Sequence, residues 1–408
     1  MITTTQEAYA QSLSLLREAR GPQGFLASPT DTSNYQRVWA RDGVITGLAA
    51  LLSDDQDLIA SFRRTLQTLA ANQAEGGQIP SNVLYADKET EVSFGGLSGR
   101  VDTLPWFIIG VCNFVHLQND LRFLDEMMPH LRKCLSLMEA WEFNNRGLMY
   151  VPQSGDWADE YILHGYVLYD QLLRLWALRC LTDLTEDHKL RLKAEYLEEI
   201  IRVNYWPDAM HLGSKLVYHE GAYKRLLDKK PRLHFWQAGF FPGGYFDRLD
   251  AWANALAVLL QLGSHDQQHQ VLGYLDQVST KLPLQLVPQF YPPVQKFEKG
   301  WDEMLENNKY QFRNHPYEFH NGGSWPVINA FVGMALVAKE ESQHALRLLA
   351  SLHEANRQAG AEGREWSFYE NFHTQTGKPL GTPRCTWSAA GGVLLQQYTE
   401  GRRLWFGS

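Results

Sequence analysis

The amino-acid sequence predicts an all-α protein folded as an (α/α)6 barrel, a toroid of six helical hairpins. Three observations predict it. Helical periodicity dominates the 408 residues, and twelve helical segments can be counted. Those segments alternate between apolar and amphipathic. The long linkers rich in Gly, Trp and Asp all precede apolar segments.

The twelve segments fall near 3–19, 42–53, 56–73, 102–118, 121–142, 165–183, 186–203, 249–262, 265–278, 325–338, 341–357 and 385–399. Segments 42–53 (DGVITGLAALLS), 249–262 (LDAWANALAVLLQL) and 325–338 (WPVINAFVGMALVA) are apolar almost all round, the pattern of a helix buried on every side. Segments 56–73, 121–142, 186–203, 265–278 and 341–357 carry Arg, Lys, Glu and Gln on one face and read as outer helices. An inner and an outer helix in turn, six times over, make a double ring. Strand-like runs are short and scattered, LVYHE at 216–220 among them. No linker rich in Gly, Ser or Pro divides the chain, so residues 1–408 are expected to form one domain.

Composition narrows the function. With 44% apolar and 21% charged residues, disorder and coiled coil are excluded as the main architecture. Thirty-eight basic against 46 acidic residues leave a net charge of −8, and no Lys/Arg run offsets it, so no nucleic-acid partner is expected. No apolar stretch approaches 18 residues, so no membrane partner is expected. The N-terminal MITTTQEAYAQSLSLLREAR has no basic start and no apolar core, which argues against a secretory signal and for a cytoplasmic location. Cys112, Cys134, Cys180 and Cys385 form no CxxC pair and read as buried free thiols. The 13 Trp, 18 Tyr and 19 Phe suit a sugar pocket, although aromatic side chains are also ordinary core residues.

In such a barrel the inner helices run parallel, so the segments before them converge on one mouth. They are 35–43, 94–106, 154–165, 240–250, 317–326 and 366–388. They carry Asp42, Asp102, Asp156, Asp159, Glu160, Asp247, Asp250, Glu318 and Glu370, accompanied by Trp39, Trp106, Trp157, Trp325, Trp366 and Trp387. Carboxylates accept hydrogen bonds from hydroxyls, and aromatic rings cover sugar faces. A small-molecule carbohydrate is therefore the expected partner. Glycoside hydrolysis needs two carboxyl groups in different environments, one to protonate the leaving oxygen and one to activate water or attack. The plain alternative for a carboxylate before a helix is an N-cap, and Asp42 and Asp102 each sit at such a position. No DxDxDG loop or HExxH pair is present, so no metal is expected.

The blocks VWARDG (38–43), IPSNV (79–83), GRVDTLPWFI (100–109), SGDWADEY (154–161), HGYVLYDQLLRLWAL (164–178), GGYFDRLDAWANALAV (243–258), HNGGSWPV (320–327), YENFHTQTGKPLG (369–381) and TWSAAGG (386–392) follow one another in order. In them the chain resembles the neutral/alkaline invertases. More loosely it resembles the glucosidase domain of glycogen-debranching enzymes and glucoamylase-type enzymes. The resemblance implies a catalytic (α/α)6 barrel that hydrolyses a small α-glucoside with inversion and without a cofactor. It makes Asp159 the general acid, with Asp156 the rival three residues away, and Glu370 the general base. Arg41 and Asp42 would hold hydroxyls of the first sugar, and Arg100 and Asp102 would line the same subsite. His320, Asn321, Gly322 and Trp325 would shape the pocket floor. Independently of the resemblance, the pocket base is expected to be aromatic, with Trp39, Trp106, Trp325 or Trp387 against a sugar face and Trp157 among the binding residues.

Where the invertases carry a basic pair after the aspartate, this chain has Glu160–Tyr161, and GRVDTLPW is shorter than its counterpart. Both departures fall on the leaving-group side. They bring glucosylglycerol and glucosylglycerate into consideration beside sucrose. Two other classes stay open. A sugar isomerase or epimerase on the same barrel would use histidine acid/base pairs from among His164, His234, His315, His320 and His373. A catalytically silent carbohydrate-binding protein would keep the pocket without the chemistry. A homo-oligomer is compatible with either of them and with the hydrolase.

Overall fold

The computed structural model describes residues 5–32, 34–86, 89–230, 232–360 and 363–408. Its helices, in chain order, are α1 (Thr5–Glu18), α2 (Ala40–Ser53), α3 (Gln56–Ala71), α4 (Thr103–Gln118), α5 (Leu121–Ala140), α6 (Leu168–Thr185), α7 (His188–Tyr205), α8 (Glu220–Lys229), α9 (Ala251–Leu259), α10 (His265–Ser279), α11 (Trp301–Glu306), α12 (Pro326–Ala338), α13 (Ser342–Arg357) and α14 (Thr386–Thr399). Each of the twelve predicted segments is a helix, with ends shifted by a few residues; positions 3 and 4 of the first segment lie outside the described residues.

Six helices form a closed inner ring: α2 packs on α4, α4 on α6, α6 on α9, α9 on α12, α12 on α14, and α14 back on α2. They are buried almost all round, as their composition requires; α4 is buried at every position from Thr103 to Val115. Outside them α3, α5, α7, α10 and α13 each pack on the inner helix that precedes them, and α1 packs on α14 to complete the sixth pair.

The two ends of the ring differ because the turns differ. At one end a left-handed residue stops an inner helix, and an aspartate then starts the outer one. Asp54 (φ 62°) precedes Asp55, whose carboxylate accepts from the N–H groups of Asp57 and Leu58. Asn119 (φ 52°) precedes Asp120, which caps at Phe123, and Glu186 (φ 53°) precedes Asp187, which caps at Lys189 and Leu190. An αL residue reverses the chain and the Asp side chain satisfies the orphan N–H groups of the next helix, so these turns stay short. The long loops lie at the other end.

The ring is filled along its axis by aromatic side chains. Trp106 lies 5.8 Å from Trp176, 6.1 Å from Trp252 and 6.2 Å from Phe331, centroid to centroid. At the end away from the long loops, the segment after α14 crosses the ring. The Trp405 carbonyl accepts from Trp176 Nε1 and Asn113 Nδ2, and Phe406 stacks on Trp176.

Small sheets tie the long loops together. Tyr166–Val167, Gln237–Phe241, Gly244–Asp250 and Phe290–Tyr291 form a four-stranded antiparallel sheet. A second, three-stranded sheet joins Val38–Trp39, Asn82–Tyr85 and Thr90–Ser93. The expectation of a strand at 216–220 is corrected. There the Tyr218 N–H is taken by Asn204 Oδ1 rather than by a ladder partner, and Glu220 already opens α8. The four cysteines are free and buried, as expected. No helix among the described residues is long and apolar enough to cross a membrane.

Candidate active site

The long loops meet at the mouth, and ion pairs between them show how. Arg41, in the first turn of α2, reaches Asp102 at the start of α4 at 2.8 Å. Arg100 pairs with Asp159 of the next loop. Arg313 pairs with Glu160 at 2.9 Å and lies 3.9 Å above the Phe319 ring. Three guanidiniums thus surround the mouth, and each engages a carboxylate.

Local structure decides which carboxylates are caps. Asp250 is one: it accepts from Ala253 N–H at the start of α9 and from Gln289 Nε2. Asp42 lies inside the first turn of α2, where Trp39 holds the N-cap position. Asp102 occupies the N-cap position of α4, but its side chain makes no capping bond there and is spent on Arg41. The capping alternative therefore accounts for Asp250 and not for Asp42 or Asp102.

Glu370 is buried just before the short strand Asn371–Phe372. Its Oε1 accepts from the Tyr35 hydroxyl at 2.5 Å, and its Oε2 faces the Thr382 N–H at 3.3 Å. Gly381 (φ 72°) packs directly on this carboxyl, and a Cβ there would collide with Glu370 and with the Asn371 amide. Burial raises the Glu370 pKa above the ordinary glutamate value, while the Tyr35 hydrogen bond and the nearby Arg313 draw it back. Asp159 is more open, with 35% of its side chain exposed beside Arg100. Asp156, three residues earlier, is fully buried. Burial and the facing carboxylates of Asp250 and Asp102 push it up to about 8, and Asp170 beneath it is raised too. Burial also lifts Asp42 to about 6.

Aromatic rings back the carboxylates. Trp157 lies 5.3 Å from both Trp325 and Trp252 and 5.1 Å from His320. Trp387 lies 5.7 Å from Trp325 and carries Arg41 at 5.4 Å over its face. His320 is buried between Phe319 and Trp325; burial first, then Arg313, Arg41 and Arg100, hold its pKa well below the usual histidine value. Trp39 is half-buried and gives its N–H to the Asn34 carbonyl. Trp106 lies beneath this layer, with its N–H given to the Tyr169 hydroxyl. Asn321 uses its amide on the backbone of Val294 and Asn314, and Gly322 (φ 90°) shapes the turn beside it.

Buried polar atoms are almost always hydrogen-bonded. Here Arg41 Nε, Asp102 Oδ1, Asp156 Oδ1, Glu160 Oε2, His320 Nδ1 and the indole nitrogens of Trp157 and Trp387 are buried without a protein partner. Donors and acceptors are mixed in one aromatic-walled place, which is what a polyhydroxylated ligand can satisfy. Tyr35 and Arg313 were missed as site residues from sequence. Tyr35 lay in a loop already singled out, whereas nothing in the pattern around Arg313 marks it.

The five histidines that an isomerase would use each have an aromatic or carboxylate neighbour of their own. His164 lies against Phe241 and Phe246, His234 against Tyr274, and His315 against Phe312. His373 stands 3.9 Å from Glu318, and His320 is enclosed in the aromatic layer.

Known proteins share this fold. The fold is shared with the GH63 mannosylglycerate hydrolase from Thermus thermophilus, at a TM-score of 0.69 and 13% identity over 95% of this chain and 100% of that one. It is shared too with a bacterial glucoamylase, at 0.62 and 17% over 97% and 55%. In fold the chain is similar to glycoside hydrolases, and in sequence to invertases. Residues 238–401 match the family model for alkaline and neutral invertase. The chain is 23% identical to alkaline/neutral invertase C, mitochondrial, of Arabidopsis thaliana, over 91% of its own length and 62% of that protein. It is 24% identical to cytosolic invertase 1 of Oryza sativa subsp. japonica, over 97% of its length and 77% of the relative. The chain thus spans less than two thirds of the first of these relatives.

Proposed function

We propose that residues 1–408 act as one cytoplasmic catalytic domain that hydrolyses a small α-glucoside with inversion. Sucrose is the leading substrate, because the relatives are invertases. Glucosylglycerol and glucosylglycerate follow, because Glu160–Tyr161 replaces the basic pair of the invertases on the leaving-group side. Asp159 donates a proton to the leaving oxygen. Glu370 takes a proton from the water that attacks the anomeric carbon from the opposite face. Arg41, Asp42, Asp102 and His320 hold hydroxyls of the glucose, and Trp157 and Trp387 bound it.

The observation that carries this reading is the contrast between two carboxyls at one mouth. Asp159 is partly exposed beside Arg100, while Glu370 is buried and held by Tyr35 and Thr382. Inversion needs room for water between them, about 6.5–9.5 Å between carboxyl groups. Histidines packed against aromatic rings, as His164, His234, His315 and His320 are, favour hydrolysis over isomerisation. The test is a panel of sucrose, maltose, isomaltose, trehalose, glucosylglycerol and glucosylglycerate, followed by NMR. Cleavage of one of them with β-glucose appearing first is expected. Interconversion of reducing sugars without cleavage would identify an isomerase, and binding without turnover a silent protein.

A further inference from the structure

The loop that carries Asp159 has no regular secondary structure from Gly155 to His164, yet its backbone is held at three successive residues by another segment. Asn307 Nδ2 donates to the carbonyls of Asp159 (3.3 Å) and Tyr161 (3.2 Å). Asn314 Nδ2 donates to the carbonyl between them, that of Glu160, at 2.7 Å. Ser154 Oγ donates to Asn307 Oδ1 at 2.9 Å, which fixes the orientation of the Asn307 amide. Asn307 itself follows directly on α11, which is anchored by buried Trp301 and Met304, and its backbone N–H bonds to the Glu303 carbonyl. Just before α11, Gly300 lies so close to Ile162 that a Cβ would stand 2.8 Å from its Cδ1. The segment thus acts as a strap laid across the Asp159 loop.

We propose that Asn307 is a positioning residue that aims the Asp159 carboxyl at the leaving oxygen. The proposal rests on the assignment of Asp159 as the acid. A loop carbonyl exposed to water would find solvent partners in many conformations; three carbonyls bound to fixed side-chain amides admit one. Misplacing a reacting group by about 1 Å costs about 100-fold in rate. The strap therefore matters to proton donation rather than to sugar binding, and its loss is felt where the leaving group needs a proton.

The experiment compares Asn307→Asp, which keeps the shape but removes both donors, with Ser154→Ala, which frees the amide to rotate. Each is assayed on the unactivated glycoside turned over fastest in the panel above and on α-glucosyl fluoride, whose fluoride leaves without protonation. The expected result is a kcat on the glycoside lower by about 10–100-fold in Asn307→Asp. It is lowered less in Ser154→Ala, with KM and fluoride turnover nearly unchanged in both. Equal losses on the two substrates, or no loss on either, would overturn the proposal. If thermal melting shows Asn307→Asp unfolded, Ser154→Ala decides by the same criterion. Asp159→Asn is run alongside. If it does not itself spare the fluoride, the acid is misassigned and the proposal falls with it; if it does and the strap variants do not, the proposal alone fails.

Discussion

The Tyr35 hydroxyl donates to Glu370 Oε1 at 2.5 Å across 335 residues of sequence. This bond joins the first mouth loop to the last and fixes one oxygen of the buried carboxyl, leaving the other near the Thr382 N–H. A base that must take a proton from one water in one direction is oriented by such a contact. Hydrogen bonds to charged groups are worth about 1.5–3 kcal/mol, so Tyr35→Phe is expected to lower kcat/KM by about 10–100-fold with folding intact. Steady-state kinetics with a melting curve check this; unchanged turnover would remove Tyr35 from the account.

Arg313 sits between the Asp159 and Glu370 loops, paired with Glu160 and close enough to Glu370 to lower its pKa. As the proposed base Glu370 must be ionised, so activity should be lost as pH falls through its pKa, which burial has already raised. Removing the cation raises it further. Arg313→Gln should move the acid limb of kcat/KM to higher pH, read from a pH–rate profile. A limb that stays put or moves down would show that Arg313 does not act on the base.

Asp156 and Asp159 make opposite predictions. Asp156 is raised from the usual aspartate value to about 8, chiefly by burial and then by Asp250 and Asp102. A carboxyl raised on folding contributes stability that is fully present below its unfolded pKa and is lost as pH rises through the folded one. The protein should therefore lose stability between the ordinary aspartate range and about pH 8. Asp156→Asn, which never ionises, should flatten that slope and keep activity. Melting temperatures measured from about pH 5 to 9 test the first part. An inactive but folded Asp156→Asn would instead make Asp156 the acid.

Trp106 and Trp387 separate core from pocket. Trp106 is fully buried among Trp176, Trp252 and Phe331, so Trp106→Ala should cost about 3–5 kcal/mol of stability, read by denaturant unfolding. Trp387 lies beneath Arg41 with its indole nitrogen unpartnered. Trp387→Ala should weaken sugar binding in calorimetry, and binding equal to that of the unsubstituted protein would assign it to the core.

Much of this was legible in the sequence, for physical reasons. The apolar character of 249–262 and 325–338 has one explanation in a closed ring, burial on every side. The convergence of the loops followed from that geometry. The short strands at the mouth were not legible, because two residues such as Tyr166–Val167 carry no period. Nor was the strap: Asn307 and Asn314 act through amides aimed at backbone carbonyls about 150 residues away, and local pattern does not record such partners. Trp106 and Trp157 looked alike in sequence, and their depth in the ring separates them.

The central claim is the division of labour between Asp159 and Glu370, and the most direct measurement is the turnover of Asp159→Asn and Glu370→Gln on two substrates. On an unactivated α-glucoside both variants should be inactive. On α-glucosyl fluoride Asp159→Asn should recover turnover, because no proton need be given to the leaving group, while Glu370→Gln should stay inactive, because water is never activated. Near-normal activity of Asp159→Asn on the unactivated glucoside would contradict the account.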